Sequence, residues 1–361
     1  MSATPSAQGF SAIPEISLAS WTTAGADRAG FARQISEICH EVGFFYVTDH
    51  GIDQEFLDRY FALMHEFFAL PDDVKATIDK ANSPHFRGWE RVGAELTDNR
   101  TDYREQLDVS TENPIYGPDA EPPYLHLDGP NQWLDEAILP GLRATVEEFF
   151  ARLGAVADQL MAAMSVGLGL SSDHFATLFG EHPLSFVKLI SYPPTPAGEA
   201  GVNAHHDAGF LTILVQHGVD GHGVGGLQAQ SPDGRWIDVQ PRSGAFVVNL
   251  GEMLQALTGN YYVATTHRVI VTEARLSSGY FHGPDLRTRL DPLVLDPRFA
   301  AAVAASARHA AAGFMAKREE LVGGRSGIAS TSAPVFGQQM WNYYLRSYPD
   351  NVRAHYPHLA V

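Results

Sequence analysis

Between residue 184 and about 290 the chain is cut into short apolar runs by Gly, Pro and Asp turns, and this constrains the fold more than any other feature. Ser185-Phe186-Val187-Lys188-Leu189-Ile190-Ser191-Tyr192 reads as one strand, and Asp233-Gly234 is a hairpin turn signal. Several such strands in succession predict a sandwich or barrel. The Gly-rich stretch Gly218 to Gly226, which contains His222, is followed by neither Lys-Ser/Thr nor a helix start, so it reads as a hairpin connection rather than a phosphate cradle.

The flanks read as helical. Residues 24–41 place Phe31, Ile35 and Ile38 on one stripe, and the run after Ile52 carries Phe56, Tyr60, Leu63, Met64, Phe67 and Phe68 before Leu70-Pro71. Ile13 to Leu18 reads as a short edge strand, and Gly43 to Ile52 as a strand ending in a turn that holds His50, a structural residue rather than a metal ligand. Pro140 to about Gly167 has Pro in its first turn and Val146, Phe149, Leu153, Val156 and Leu160 on one face, with Met161 and Met164 as core filler. An Ala-rich helix from about 297, a Gly/Ser-rich linker over 323–332 and a last helix over 340–347 complete the chain. The linker is the best candidate for a mobile loop. The expected organisation is an N-terminal helical and strand region (1–125), a scaffold helix (126–180), a strand-rich core (181–290) and a C-terminal helical region (291–361) in one compact unit. Residues 82–128, with Phe86-Arg87-Gly88-Trp89 and Asp102-Tyr103-Arg104-Glu105, are either a surface loop packed on the core or a substrate-facing segment.

His205-His206-Asp207 runs straight into the apolar segment Phe210 to Leu214. On a strand, residues i and i+2 face one side, so His205 and Asp207 can point into one interior while His206 faces away. One His and one carboxylate are two thirds of a facial triad for non-haem Fe(II), and His267 in Thr265 to Val271 is the candidate third ligand. Arg275 and Ser277 again share a face. A guanidinium on an inner β-surface needs an anion, its fork suits a carboxylate, and a Ser hydroxyl beside it donates one more bond. Such a set fits a 2-oxo acid that chelates the metal at one end and meets the Arg at the other.

In order along the chain stand His205-x-Asp207, Gly226-Leu227-Gln228, Gly234-Arg235-Trp236, Gly244 to Gly251, His267-Arg268-Val269 and Arg275-x-Ser277. With these the sequence resembles the Fe(II)/2-oxoglutarate-dependent oxygenases of the isopenicillin N synthase-like family over most of its length. The resemblance implies a mainly β fold with flanking helices and a distorted jelly-roll (double-stranded β-helix) core. It implies Fe(II) on His205, Asp207 and His267, and the distal carboxylate of 2-oxoglutarate on Arg275 and Ser277, with Tyr192 at a position that often contacts the same co-substrate. It implies O2-dependent hydroxylation of an unactivated C–H bond with release of succinate and CO2. Ring-forming, desaturating or ethylene-forming oxidases, and a silent binding protein on the same scaffold, are the alternatives. The chain departs from the family at Glu252, usually Asp, and at Thr258-Gly259-Asn260, usually Thr-Asn-Gly, and its His267 to Arg275 spacing is short.

If Tyr192 faces inward, so does Lys188, which then contacts substrate or snorkels to solvent, the second being favoured. The parity that carries Arg275 inward also carries Phe281, as a pocket wall or a core aromatic. A net charge of −17 argues against nucleic-acid and anionic-membrane partners, and a small-molecule substrate is what the resemblance implies. One cysteine, Cys39, excludes an intrachain disulfide, and the first residues show no signal-peptide pattern, so a cytoplasmic location is expected. No apolar run stands out as a membrane span. Substrate identity and oligomeric state are not encoded legibly.

Overall fold

A computed structural model describes residues 9–97, 100–117, 119–196, 198–217, 225–306, 308–309 and 335–359. The Gly/Ser-rich linker over 323–332 and most of the loop over 218–226 lie outside the described residues. The N-terminal part holds β1 (Glu15–Ser17), α1 (Ala19–Thr22), α2 (Arg28–Glu41), β2 (Phe44–Thr48), α3 (Gln54–Ala69) and α4 (Asp72–Lys75). The segment after it is not a plain surface loop, because it contributes β3 (Gly88–Glu90), β4 (Leu96–Thr97), β5 (Arg100–Thr101) and β6 (Glu105–Ser110). Then come α5 (Leu142–Gly167), α6 (Ala176–Phe179), β7 (Phe186–Tyr192), β8 (Val202–His205), β9 (Leu211–Gln216), β10 (Leu227–Gln230), β11 (Trp236–Asp238) and β12 (Ala245–Leu250). The chain closes with α7 (Glu252–Leu257), β13 (His267–Val269), β14 (Arg275–His282), α8 (Pro297–Ala305), α9 (Phe336–Ser347) and α10 (Pro349–His355).

Eight strands form one large sheet in the order β1-β2-β12-β9-β14-β7-β6-β3, and four form a small one, β11-β10-β13-β8. The two sheets make the distorted jelly roll. Four strands of the large sheet come from the first 110 residues, so the N-terminal segment is built into the same sheet as the strands of 181–290.

Strand alternation sorts the side chains. On β7, Val187 and Leu189 turn outward and join a core with α2, α3 and α5, where Phe31, Ile35, Tyr60, Phe149, Leu153 and Leu160 are buried. Ile190 and Tyr192 turn inward and pack with Phe44, Tyr46, Val247 and, from the small sheet, Val202, Leu227 and Val269. The helix α5 starts at Leu142, just after Pro140, with Gly141 at its N-cap. By length and composition α5 could also cross a membrane, contrary to expectation from the sequence. Half of its most apolar window is buried inside the fold.

Gly43 opens β2 in the left-handed region at φ 67°, and a Cβ there would run into the carbonyl of Val263. Both constraints reject any side chain. Gly43→Ala is expected to lower stability by roughly 2–4 kcal/mol, from backbone strain and overpacking together, read by denaturant unfolding; a loss within error would show that the two segments move apart freely.

Candidate active site

The two candidate imidazoles are brought together by register. β13 pairs antiparallel with β8 so that His267 lies directly opposite His205, and their ring centroids are 4.3 Å apart. Asp207 does not share a strand with His205, as the i, i+2 argument expected, because β8 ends at His205 and Asp207 sits in the loop to β9. The convergence still occurs. Asp207 Oδ1 is 3.5 Å from His205 Nε2 and 3.6 Å from His267 Nε2, and among the described residues this is the cluster whose ligand atoms all lie within 4.8 Å. His206 turns the other way, with its ring nitrogens 2.9 Å from Thr266 Oγ1 and 3.4 Å from Glu252 Oε1.

Each ligand is oriented by a second partner. His205 Nδ1 donates to the carbonyl of Asn203 at 2.7 Å, and His267 Nδ1 to that of Thr265 at 3.1 Å, which fixes both tautomers with Nε2 free to bind. Asp207 Oδ2 accepts from Thr212 Oγ1 on β9 and from Asn249 Nδ2 on β12, at 2.6 Å in the second case, which leaves Oδ1 for a metal. Burial disfavours the Asp207 carboxylate, but the imidazoles of His267 and His205 outweigh it and hold its pKa below the ordinary range. Burial and the neighbouring His205 push His267 down to about 4, so it is neutral and ready to ligate. Burial also opposes charge on His205, but its contacts with Asp207 prevail and raise its pKa. Two imidazoles, one carboxylate oxygen and the open side at His205, whose side chain is 27% exposed, suit a facial Fe(II) site with vacant positions.

Arg275, Ser277, Gly279 and Phe281 all point to the inner face from β14, opposite Tyr192, Ile190, Lys188 and Phe186 on β7. Arg275 is buried and gives Nη2 to Gln216 Oε1 at 3.0 Å and Nη1 to the carbonyl of Gly225 at 3.2 Å. Among the described residues no carboxylate pairs with it, and burial lowers its pKa. Arg275 Nε and Ser277 Oγ are both buried without a partner among the described residues. A lone buried guanidinium costs several kcal/mol, so the pair fits an incoming carboxylate. Tyr192 is buried beside it, with the guanidinium 5.4 Å above its ring. Phe281 is half-buried and stacks on Phe186 at 4.4 Å, facing the interior as a wall residue would. Lys188 does not snorkel to solvent. It is 3% exposed and donates to Asp108 Oδ2 and Tyr348 Oη, each at 2.8 Å.

The residues around Lys188 were not singled out from the sequence. Gln106 and Asp108 alternate with Leu107 and Val109 along β6, a strand pattern with a polar inner face that was legible in principle. Their partners Glu95, Lys80 and Tyr348 arrive from distant loops and from the end of α9, and no local pattern announces them.

The chain is similar to several known proteins. Residues 13–136 match the family model for the N-terminal region of the non-haem dioxygenase in morphine synthesis, and residues 181–284 that of the 2OG-Fe(II) oxygenase superfamily. A 2-oxoglutarate-dependent dioxygenase, frbJ, from Dothideomycetidae sp. is 35% identical over 283 residues, 76% of this chain and 74% of its own. A homoarginine-6-hydroxylase from Glycine max is 30% identical over 273 residues, 72% of this chain and 80% of its own. A full-length Neurospora crassa protein solved with alpha-KG and thymine superposes with a TM-score of 0.66 at 26% identity, covering 78% of this chain and 88% of its own.

Removing the contacts that hold Asp207 tests the orientation. Thr212→Val and Asn249→Leu are each expected to weaken Fe(II) binding by about 10- to 100-fold in a direct titration of the apoprotein, while His267→Ala abolishes it. Unchanged affinity in both of the first two would mean that Asp207 needs no orienting partner.

Proposed function

Because this chain belongs to the Fe(II)/2-oxoglutarate-dependent oxygenases of the isopenicillin N synthase-like family, we propose that it hydroxylates an unactivated C–H bond of a small organic molecule, releasing succinate and CO2. It is a dioxygenase whose cofactor set is Fe(II), 2-oxoglutarate and O2. The observation that carries the finer reading is buried Arg275 beside Ser277, without a carboxylate partner among the described residues, on the strand that pairs with β9, whose Thr212 holds Asp207. A keto diacid is the ligand that would use both ends. The relative named for a hydroxylation and the neighbour solved with thymine support hydroxylation of a small molecule.

In this reading His205 Nε2, His267 Nε2 and Asp207 Oδ1 hold Fe(II). Arg275 and Ser277 hold the distal carboxylate of 2-oxoglutarate, with Tyr192 flanking the guanidinium. The bound metal and co-substrate supply the oxygen activation and C–H oxidation that no side chain can perform. The protein contributes alignment and dryness. Arg275 gives the co-substrate one orientation, because its forked N–H groups match a carboxylate in a single plane. The apolar inner wall of Val247, Ile190 and Leu214 keeps water from the reacting centre. Phe281 and Phe186 close the end of that wall beside Thr212, the residue that holds Asp207.

Arg275→Lys is expected to raise the Kd for 2-oxoglutarate by about tenfold or more, since a point charge cannot replace the fork, with Fe(II) affinity unchanged. Ser277→Ala loses less, about one hydrogen bond. Succinate and hydroxylated product are expected in equal amounts. Substrate consumed without matching succinate would instead assign an oxidase that does not use the co-substrate.

A further inference from the structure

The inner face of the large sheet is not apolar throughout. Register places Gln106 beside Ile190 and Asp108 beside Lys188, and Lys188 lies opposite Gly279, between Ser277 and Phe281. This charged wall therefore continues the surface that carries the co-substrate residues. Asp108 Oδ2 accepts from Lys188 and from Lys80, each at 2.8 Å. Glu95 accepts from Arg104 and Gln106 at 2.7 Å and from the hydroxyls of Tyr343 and Tyr348 at 2.9 Å. The wall also reaches the metal end. Arg104 lies 3.4 Å from Asp102, whose Oδ1 accepts from Asn203, and the carbonyl of Asn203 orients His205.

A structural role explains this poorly. Burying charges is weak evidence for stability, since apolar residues of equal volume often do as well or better. A network with unmet members is worse still, and among the described residues this one leaves Asp108 Oδ1 and Gln106 Oε1 buried without a donor and Arg104 Nε without an acceptor. The cations Lys80, Arg104 and Lys188 face the carboxylates Glu90, Glu95, Asp102 and Asp108, and burial raises the pKa of Glu90 and of Asp102. Two idle acceptors on one face of β6, one of them a carboxylate oxygen, define the complementary group as a hydrogen-bond donor, and a cationic donor makes the stronger bond to a carboxylate.

We propose that this wall selects the substrate by a protonated nitrogen, an ammonium or guanidinium group, accepted by Asp108 Oδ1 and Gln106 Oε1. The proposal rests on the dioxygenase reading and adds the substrate class to it. The nitrogen is held away from the metal, on β6, so the oxidised carbon lies elsewhere on the same molecule.

The test is an anaerobic titration of the protein loaded with Fe(II) and 2-oxoglutarate, read by the visible absorption of the bound co-substrate, with succinate release in air as the second readout. The probes are hexylamine, agmatine and lysine against hexanol, 6-hydroxyhexanoate and adipate. At least one amine or guanidine is expected to bind about tenfold or more tightly than the alcohol and acid probes, as a charge-assisted hydrogen bond implies. Asp108→Asn is expected to bring that ratio close to one. Gln106→Leu should shrink it and serves if Asp108→Asn does not fold; the ranking on the unmodified protein needs no variant. A panel with no amine response, an alcohol or acid that matches the amine, or a ratio untouched by both variants overturns the proposal. If the absorption of bound 2-oxoglutarate never forms, the dioxygenase reading fails instead.

Discussion

A single carboxylate links the two sheets at the point where the chemistry is placed. Asp207 is gripped through one oxygen by Thr212 and Asn249 of the large sheet, and its other oxygen meets two imidazoles presented by the small sheet. The separation of the sheets, the register of β13 on β8 and the inward turn of β9 all have to be correct for that contact to form. Packing on the outer side serves this end. The helices α2, α3 and α5 cover one face of the large sheet, so its other face can carry polar groups without unfolding the sheet.

The inner wall then divides by chemistry. Among the described residues Arg275 Nε and Ser277 Oγ stand without a partner at one end, and the acceptors Asp108 Oδ1 and Gln106 Oε1 at the other. Between them on β7 lies the apolar side chain of Ile190. A buried polar atom with no partner costs free energy in the resting protein. Two opposite kinds of deficit on one surface mark where two chemically different molecules would repay it. The Asp108 carboxylate on this wall and the overall charge of −17 act in the same direction on an approaching cation.

How much of this could be read from the chain depends on distance along it. His205, Asp207, His267, Arg275 and Ser277 were legible because each sits in a short pattern whose parity is local, and because their order is specific to one family. The strand over 186–192 was legible for the same reason. The i, i+2 argument brings 205 and 207 together along one strand; they do converge, but the strand stops at His205 and the loop completes the approach. Lys188 was read as solvent-seeking because a lysine in isolation has no visible partner; its partners lie 80 and 160 residues away. Residues 82–128 looked like loop for a related reason. Their strands are short and irregular, and pairing with β7, rather than their own periodicity, makes them sheet.

Both imidazoles take their orientation from the main chain, each from the carbonyl two residues before it. A carbonyl is present whatever side chain occupies the position. Neighbouring residues on these strands can therefore be exchanged without retuning the histidines, provided the strand path is kept. The fold thus separates what must stay constant, a pair of correctly aimed nitrogens, from what is free to drift, the walls that choose the guest. A scaffold arranged in this way can acquire new substrates by ordinary point mutation and still hold its metal while it does so.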